Sequence, residues 1–287
     1  KDVNTLMLKV NGLLNSGKTD SIRLMAAKGR VMALSVSDTI FASYFSYIQG
    51  TTYRYENPEL NRLYFDTALV GAKATNYEIL EMLIYNGMAT LTANKGKLDS
   101  ALYYHQKNFE ILNRQEDSKN KRRAVATYYN NLGMVYRDKG NYARAMEFFL
   151  QAYESKVAIN SLKSAHFALY NLATTYEKLG MYSEAVNNFN NMLLYADSTQ
   201  NTRLQIMANM GMANVLGASY QEENSLNYYR KALSIAKVHD PASLREIMTS
   251  MSRTFIKLNF PDSTSYYLEK AAEMVSDDDD RYYINHH

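Results

Sequence analysis

Residues Ala126–Ala158 read ATYYNNLGMVYRDKGNYARAMEFFLQAYESKVA. Tyr129, Leu132, Gly133 and Tyr136 recur at three- and four-residue spacing, and so do Ala145, Phe149 and Ala152. Each set is the apolar stripe of an amphipathic helix. Between the stripes, Asp138-Lys139-Gly140-Asn141 is a stop and restart, with Gly140 where a left-handed residue closes a helix. The stretch therefore predicts two short antiparallel helices with small residues at their contact. One such pair cannot bury its own apolar face, so copies of it must stack.

The pattern returns along the chain. Residues 166–193 carry Leu172, Ala173, Tyr176, Gly180, Ala185 and Phe189 at the same offsets. Gly96 precedes Ala101 as Gly140 precedes Ala145, and Ser225 and Thr264 open comparable stretches. The first residue of this register in the N-terminal part is Ile22, because GKTDSI at Gly17–Ile22 superimposes on GKLDSA at Gly96–Ala101. A helix start at Asn57-Pro58-Glu59 introduces Leu60, Leu63, Tyr64, Thr67 and Val70, and Leu63 is taken as the register residue there. Register residues at 22, 63, 101, 145, 185, 225 and 264 give seven helical pairs with a period near 40. Glycine is replaced before the last two by Tyr220 and Asn259.

This constellation resembles the tetratricopeptide repeat (TPR), whose pattern is an aromatic residue, Leu-Gly, Tyr, a turn Gly, then Ala, Phe and Ala. All of these positions agree between Tyr129 and Ala152. The resemblance implies an all-α, right-handed superhelical solenoid of about seven pairs. A single solenoid is expected over residues 1–276, degenerate over 1–80 and clear over 81–276. Residues 277–287 would be an acidic tail, Asp277–Asp280, ending in possible tag residues His286 and His287. A TPR is about 34 residues long. The surplus here points to longer helices or to longer connections such as Leu112–Arg123.

Composition excludes several functions. Thirty-two basic and 29 acidic residues leave a net charge of +3, too even to predict nucleic-acid or membrane binding. There is no Cys for disulfides or thiolate chemistry, and no apolar run long enough to span a membrane. Gly12–Thr19 reads GLLNSGKT, a literal P-loop string, but no alternating βα pattern surrounds it. The five His form no metal-binding spacing, so neither metal nor cofactor is expected. Tyr103-Tyr104, Tyr228-Tyr229 and Tyr266-Tyr267 read as interhelix packing. Lys119–Arg123 reads as a solvated loop more readily than as a docking patch.

The resemblance also places the ligand surface, since the first helix of each TPR pair lines the concave face. Asn131, Asn171 and Asn209 fall before the Leu-Gly position or its equivalent, where an amide can hold a peptide main chain. Asn130, Met134, Arg137, Thr174, Glu177, Met212 and Arg253 are expected to flank them. With Arg137 and Arg253 as the basic residues, the groove is expected to be mixed in charge and not a carboxylate clamp. The reading is a non-catalytic scaffold for a protein or extended peptide. Its 40-residue period and DSALYY-type strings resemble the sensory or interaction domain of larger bacterial membrane-anchored regulators. That resemblance implies a further attached domain and favours an extracytoplasmic over a cytoplasmic location. The alternatives are a cytoplasmic peptide-pheromone-binding regulator and a nucleotide-dependent enzyme using Gly12–Thr19.

Overall fold

A computed structural model of the chain describes residues 3–14, 18–54 and 56–284, with side chains described as far as Met274. Asn15, Ser16 and Gly17 of the P-loop-like string lie outside the described residues, as do His286 and His287. Contacts divide the chain into two compact units, Lys1–Lys139 and Gly140–His287. The first holds α1 (Val3–Leu13), α2 (Thr19–Ser35), α3 (Thr39–Thr52), α4 (Pro58–Ala74), α5 (Glu78–Asn94), α6 (Leu98–Arg114) and α7 (Lys119–Asp138). The second holds α8 (Tyr142–Ala158), α9 (Leu162–Lys178), α10 (Tyr182–Ser198), α11 (Thr202–Ala218), α12 (Glu222–His239), α13 (Leu244–Lys257) and α14 (Pro261–Ile284). No strand occurs among the described residues. Within each unit, consecutive helices pack on one another. This is the all-α, helix-pair repeat that the apolar spacing predicts.

The surplus over the TPR length goes into the helices. Each of α8, α9, α10 and α11 has 17 residues, and three-residue turns such as Ile159–Ser161 and Leu179–Met181 join them. Two such helices and two such turns make the period of 40. Longer connections occur at Gln115–Ser118 and around the short 3-10 turn Pro241–Ser243. Most of Leu112–Arg123 is therefore helix, contrary to the loop expected there. Lys119–Arg123 opens α7, whose Ser118 cap accepts from the Lys121 amide, and Arg122 pairs with Asp117.

Hydrogen bonds fix the register of the second helices. The amide of the register residue donates to the carbonyl four residues earlier at Ile22, Ala101, Ala145, Ala185, Ser225 and Thr264. In α4 the equivalent donor is Asn61, not Leu63. Leu63 is 59% exposed, whereas Asn61, Phe65, Ala68 and Ala72 are buried, as Ala145, Phe149 and Ala152 are in α8. Apolar character at Leu63 outweighed register in the sequence reading. Asn61 is a polar residue in a core position because its Nδ2 donates to the Gly50 carbonyl at 2.6 Å. Ser225 does the same at its register position, donating to the Ala213 carbonyl at 2.7 Å.

Close helix contacts depend on small residues opposite Phe. A Cβ on Gly50 or Gly87 would stand 2.6 Å from the Phe65 ring, so α3 and α5 approach α4 only because both lack one. Gly211 of α11 meets Phe189 of α10 in the same way. In two of the Tyr pairs the second ring packs on a preceding first helix. Tyr104 stacks on Tyr85 at 6.3 Å and Tyr267 on Phe255 at 5.4 Å, while Tyr103 and Tyr266 are exposed. Gly12 lies inside helix α1, so the described part of Gly12–Thr19 is helix, turn, helix and not the strand-loop-helix of a P-loop. The acidic run Asp277–Asp280 belongs to α14.

Candidate functional site

The second unit contains an open cavity of about 1020 Å³ lined by three first helices, α9, α11 and α13, with α12 behind them. One position of the repeat recurs in its wall. Thr174, Asn214 and Arg253 each stand eleven residues before their register residues Ala185, Ser225 and Thr264, and all three line the cavity. Glu177 and Lys178 follow one turn later on α9. On α13, Arg245, Thr249, Arg253 and Lys257 share one face at four-residue spacing, and Glu246, Ser250 and Thr254 run beside them.

Tyr229 of α12 forms the polar centre of this wall. The side chain is buried, and its hydroxyl donates to Asn214 Oδ1 and is hydrogen-bonded to Ser250. Burial pushes the phenol up to about 12, and Glu177 and Glu246 add to that, while Ser250 and Arg253 oppose it. Tyr229 is thus a fixed neutral donor that positions Asn214 and is not poised to lose its proton. The Lys257 ammonium donates to the Gly217 carbonyl at 2.8 Å and the Lys178 ammonium lies 3.4 Å from Glu177. Four basic and two acidic side chains line the cavity, so its charge is mixed with a positive bias. No group of three or more His, Asp or Glu side chains able to hold a metal occurs among the described residues.

The expected site residues divide between the units. Thr174, Glu177 and Arg253 meet in the cavity of the second. Asn171 is part-buried one turn behind Thr174, and its carbonyl accepts from both Thr174 and Thr175 hydroxyls. Two expectations for α11 need correction. Met212 is only 2% exposed, because it stands thirteen residues before Ser225, as the core Leu172 does before Ala185. Asn209 is 5% exposed and donates to the Gln205 carbonyl at 2.8 Å. The true equivalent of Asn171 is Gly211, and Asn214 takes the place expected of Met212.

In the first unit, Asn130, Asn131, Met134 and Arg137 all lie on α7. Met134 is exposed, with the Asn130 amide against its sulfur at 3.7 Å, and Arg137 pairs with Asp138 at 3.4 Å. Asn131 Nδ2 donates to Asn86 Oδ1 of α5 at 2.9 Å. These two amides border a separate cavity of about 350 Å³ between α5, α6 and α7. Sequence reading missed Asn86, Asn214, Tyr229, Ser250, Arg245 and Lys257. Asn214 and Ser250 were accessible to the register once it was counted back from Ser225 and Thr264. Arg245 and Lys257 emerge only with the four-residue face of α13.

Helix pairs of this length, register and turn geometry define a repeat scaffold of the tetratricopeptide class. Comparison with known proteins bears this out: the Tetratricopeptide repeat family matches residues 80–156 and again 168–194. The outer dynein arm-docking complex subunit 4 of Danio rerio is 27% identical over 153 residues, 53% of this chain. The chain matches only 30% of the length of that relative. Among solved structures, the chain is similar to a signal transduction ATPase with numerous domains from Pyrococcus horikoshii that has a tetratricopeptide repeat sensor. The TM-score is 0.72 at 16% identity, over 95% of this chain and 41% of that one. A Rap protein complexed with competence and sporulation factor gives a TM-score of 0.66 at 14% identity, over 96% and 76% of the two chains. These likenesses establish the fold, and residues 80–156 and 168–194 match the tetratricopeptide repeat. No helix among the described residues is long and apolar enough to cross a membrane.

Proposed function

We propose that the second unit binds an extended peptide or protein segment in the cavity between α9, α11 and α13, and that the chain acts as a scaffold without catalysis. The observation that carries this reading is the recurring row Thr174, Asn214 and Arg253, one polar side chain from each first helix, opening on one cavity. An extended peptide repeats its amide groups, and a wall that repeats its polar side chains can meet them one after another. Asn214, with its oxygen taken by Tyr229, keeps its Nδ2 for a main-chain carbonyl. Mixed charge suits a peptide of mixed sign, with acidic residues favoured near Arg245 and Arg253. The Rap protein with its bound factor supports the reading by fold alone, and suggests a sensory or interaction role within a larger signalling regulator.

Selection of peptides from a random display library on the whole chain tests it. Enriched peptides are expected to lose about tenfold in affinity, roughly 1.4 kcal/mol, to Asn214→Ala and more to Arg253→Glu. Equal affinity for both variants and the parent would move the binding surface elsewhere.

A further inference from the structure

The smaller cavity in the first unit differs in chemistry from the groove of the second. No Lys, Arg, Asp or Glu lines it. Ile79, Met82, Leu83 and Tyr128 provide apolar wall, and Ile79 and Leu83 are exposed large hydrophobics at that place on α5. Its volume of about 350 Å³ lies at the lower end of the range of about 300–1,000 Å³ that holds small molecules.

Three polar groups converge on this apolar space. Asn131 and Asn86 are joined by one hydrogen bond, from Asn131 Nδ2 to Asn86 Oδ1. That bond leaves a donor, Asn86 Nδ2, and an acceptor, Asn131 Oδ1, together the complement of one amide group. The third is His105 of α6, only 4% exposed, which lines the cavity. Its ring meets Tyr128 edge-on at 6.5 Å, and Tyr128 in turn stacks on Phe109 at 4.4 Å. Two further amides of the lining are committed, Asn108 Nδ2 to the Met82 carbonyl at 2.7 Å and Gln115 Nε2 to the Met82 sulfur at 3.3 Å, and Asn120 of α7 also borders the space.

We propose that this cavity is a second binding site, taking a small uncharged ligand that is mostly apolar and carries one carboxamide-like donor and acceptor. The apolar part lies against Met82, Leu83 and Tyr128, and the amide meets Asn86 and Asn131, with His105 at the buried end. A carboxylate or ammonium of the same shape would lose its hydration in a space with no counter-charge, and is rejected.

The probes are phenylacetamide, phenylacetate and phenethylammonium, titrated into the whole chain by calorimetry and by ¹⁵N NMR of the His ring nitrogens. Saturable binding of phenylacetamide is expected, with shifts at His105 and affinity at least about tenfold above that of either ion. Asn131→Ala should weaken it several-fold. Leu83→Glu puts a charge on an exposed position at the wall and should abolish it while the thermal midpoint stays unchanged. Phenylacetate binding as tightly as phenylacetamide overturns the proposal. So does the absence of saturation by phenylacetamide up to ~10 mM, or saturation that leaves His105 unshifted and survives Leu83→Glu.

Discussion

Among single residues, His105 has the most measurable consequence. Burial lowers it from the ordinary 6.5 to about 4. Below about pH 6.5 the unfolded chain takes up a proton that the folded chain refuses until about pH 4. Stability is therefore complete above this window and falls as the pH drops through it, by about 3 kcal/mol from this group. Urea unfolding at a series of pH values should show a steeper loss for the parent than for His105→Leu; parallel curves would mean that the ring is solvated. Side chains of this kind were only half legible in the sequence. The register at Ala101 puts His105 on a helix, but the apolar surroundings that keep it neutral come from Met82 and Tyr128 on other helices. Met212 shows the opposite failure. A long apolar residue reads alike as ligand contact or as core, and only counting from Ser225 puts it beside Leu172 in the buried set.

At the level of the element, the turn between the two helices of a pair has one geometry and several sequences. Gly96, Gly140 and Gly180 hold φ near +70°, and Tyr220 and Asn259 hold φ of 61° and 58° at the same place. The helix-pair fold was legible because a turn glycine, a cap and two apolar stripes repeat together. It was harder to read where Tyr220 replaces the glycine, since the backbone is dictated by the helices on either side and not by the residue itself. Tyr220 is 88% exposed, so its ring repays little of the cost of a left-handed conformation. Tyr220→Gly should raise stability by about 0.5–1 kcal/mol, read as a higher denaturation midpoint with an unchanged slope. Gly180→Ala should lower it by about 1 kcal/mol, because alanine must adopt φ of 73°. Ala185→Leu belongs to the same element. Ala185 has no exposed surface in the second unit, and a larger side chain there should cost about 1–3 kcal/mol by overpacking. A midpoint unchanged by Ala185→Leu would show that the register is misassigned.

For the whole molecule, helical periodicity reports which residues pair but not how the pairs group. The clearest repeat, Ala126–Ala158, spans the boundary between the two compact units at Gly140, and nothing in its spacing marks that place. The division matters because the α9–α11–α13 cavity of the second unit and the α5–α6–α7 cavity of the first differ in electrostatics. The α9–α11–α13 cavity offers Arg245, Arg253, Lys178, Lys257, Glu177 and Glu246, whereas no charged side chain lines the α5–α6–α7 cavity. Exposed charges act through solvent and are screened within about 8–10 Å at moderate salt, while apolar and neutral hydrogen-bonding contacts are not. Salt should therefore separate the two sites in one protein. Between ~50 mM and ~500 mM NaCl, an acidic peptide selected on the α9–α11–α13 cavity should lose affinity several-fold, mostly through slower association. Phenylacetamide should bind the α5–α6–α7 cavity unchanged, or slightly more tightly, over the same range. Surface plasmon resonance with the two ligands on one immobilised sample makes the comparison internal. Parallel salt dependence for both would mean that they share a charged surface, and the assignment of a different chemistry to each of these two cavities would fall.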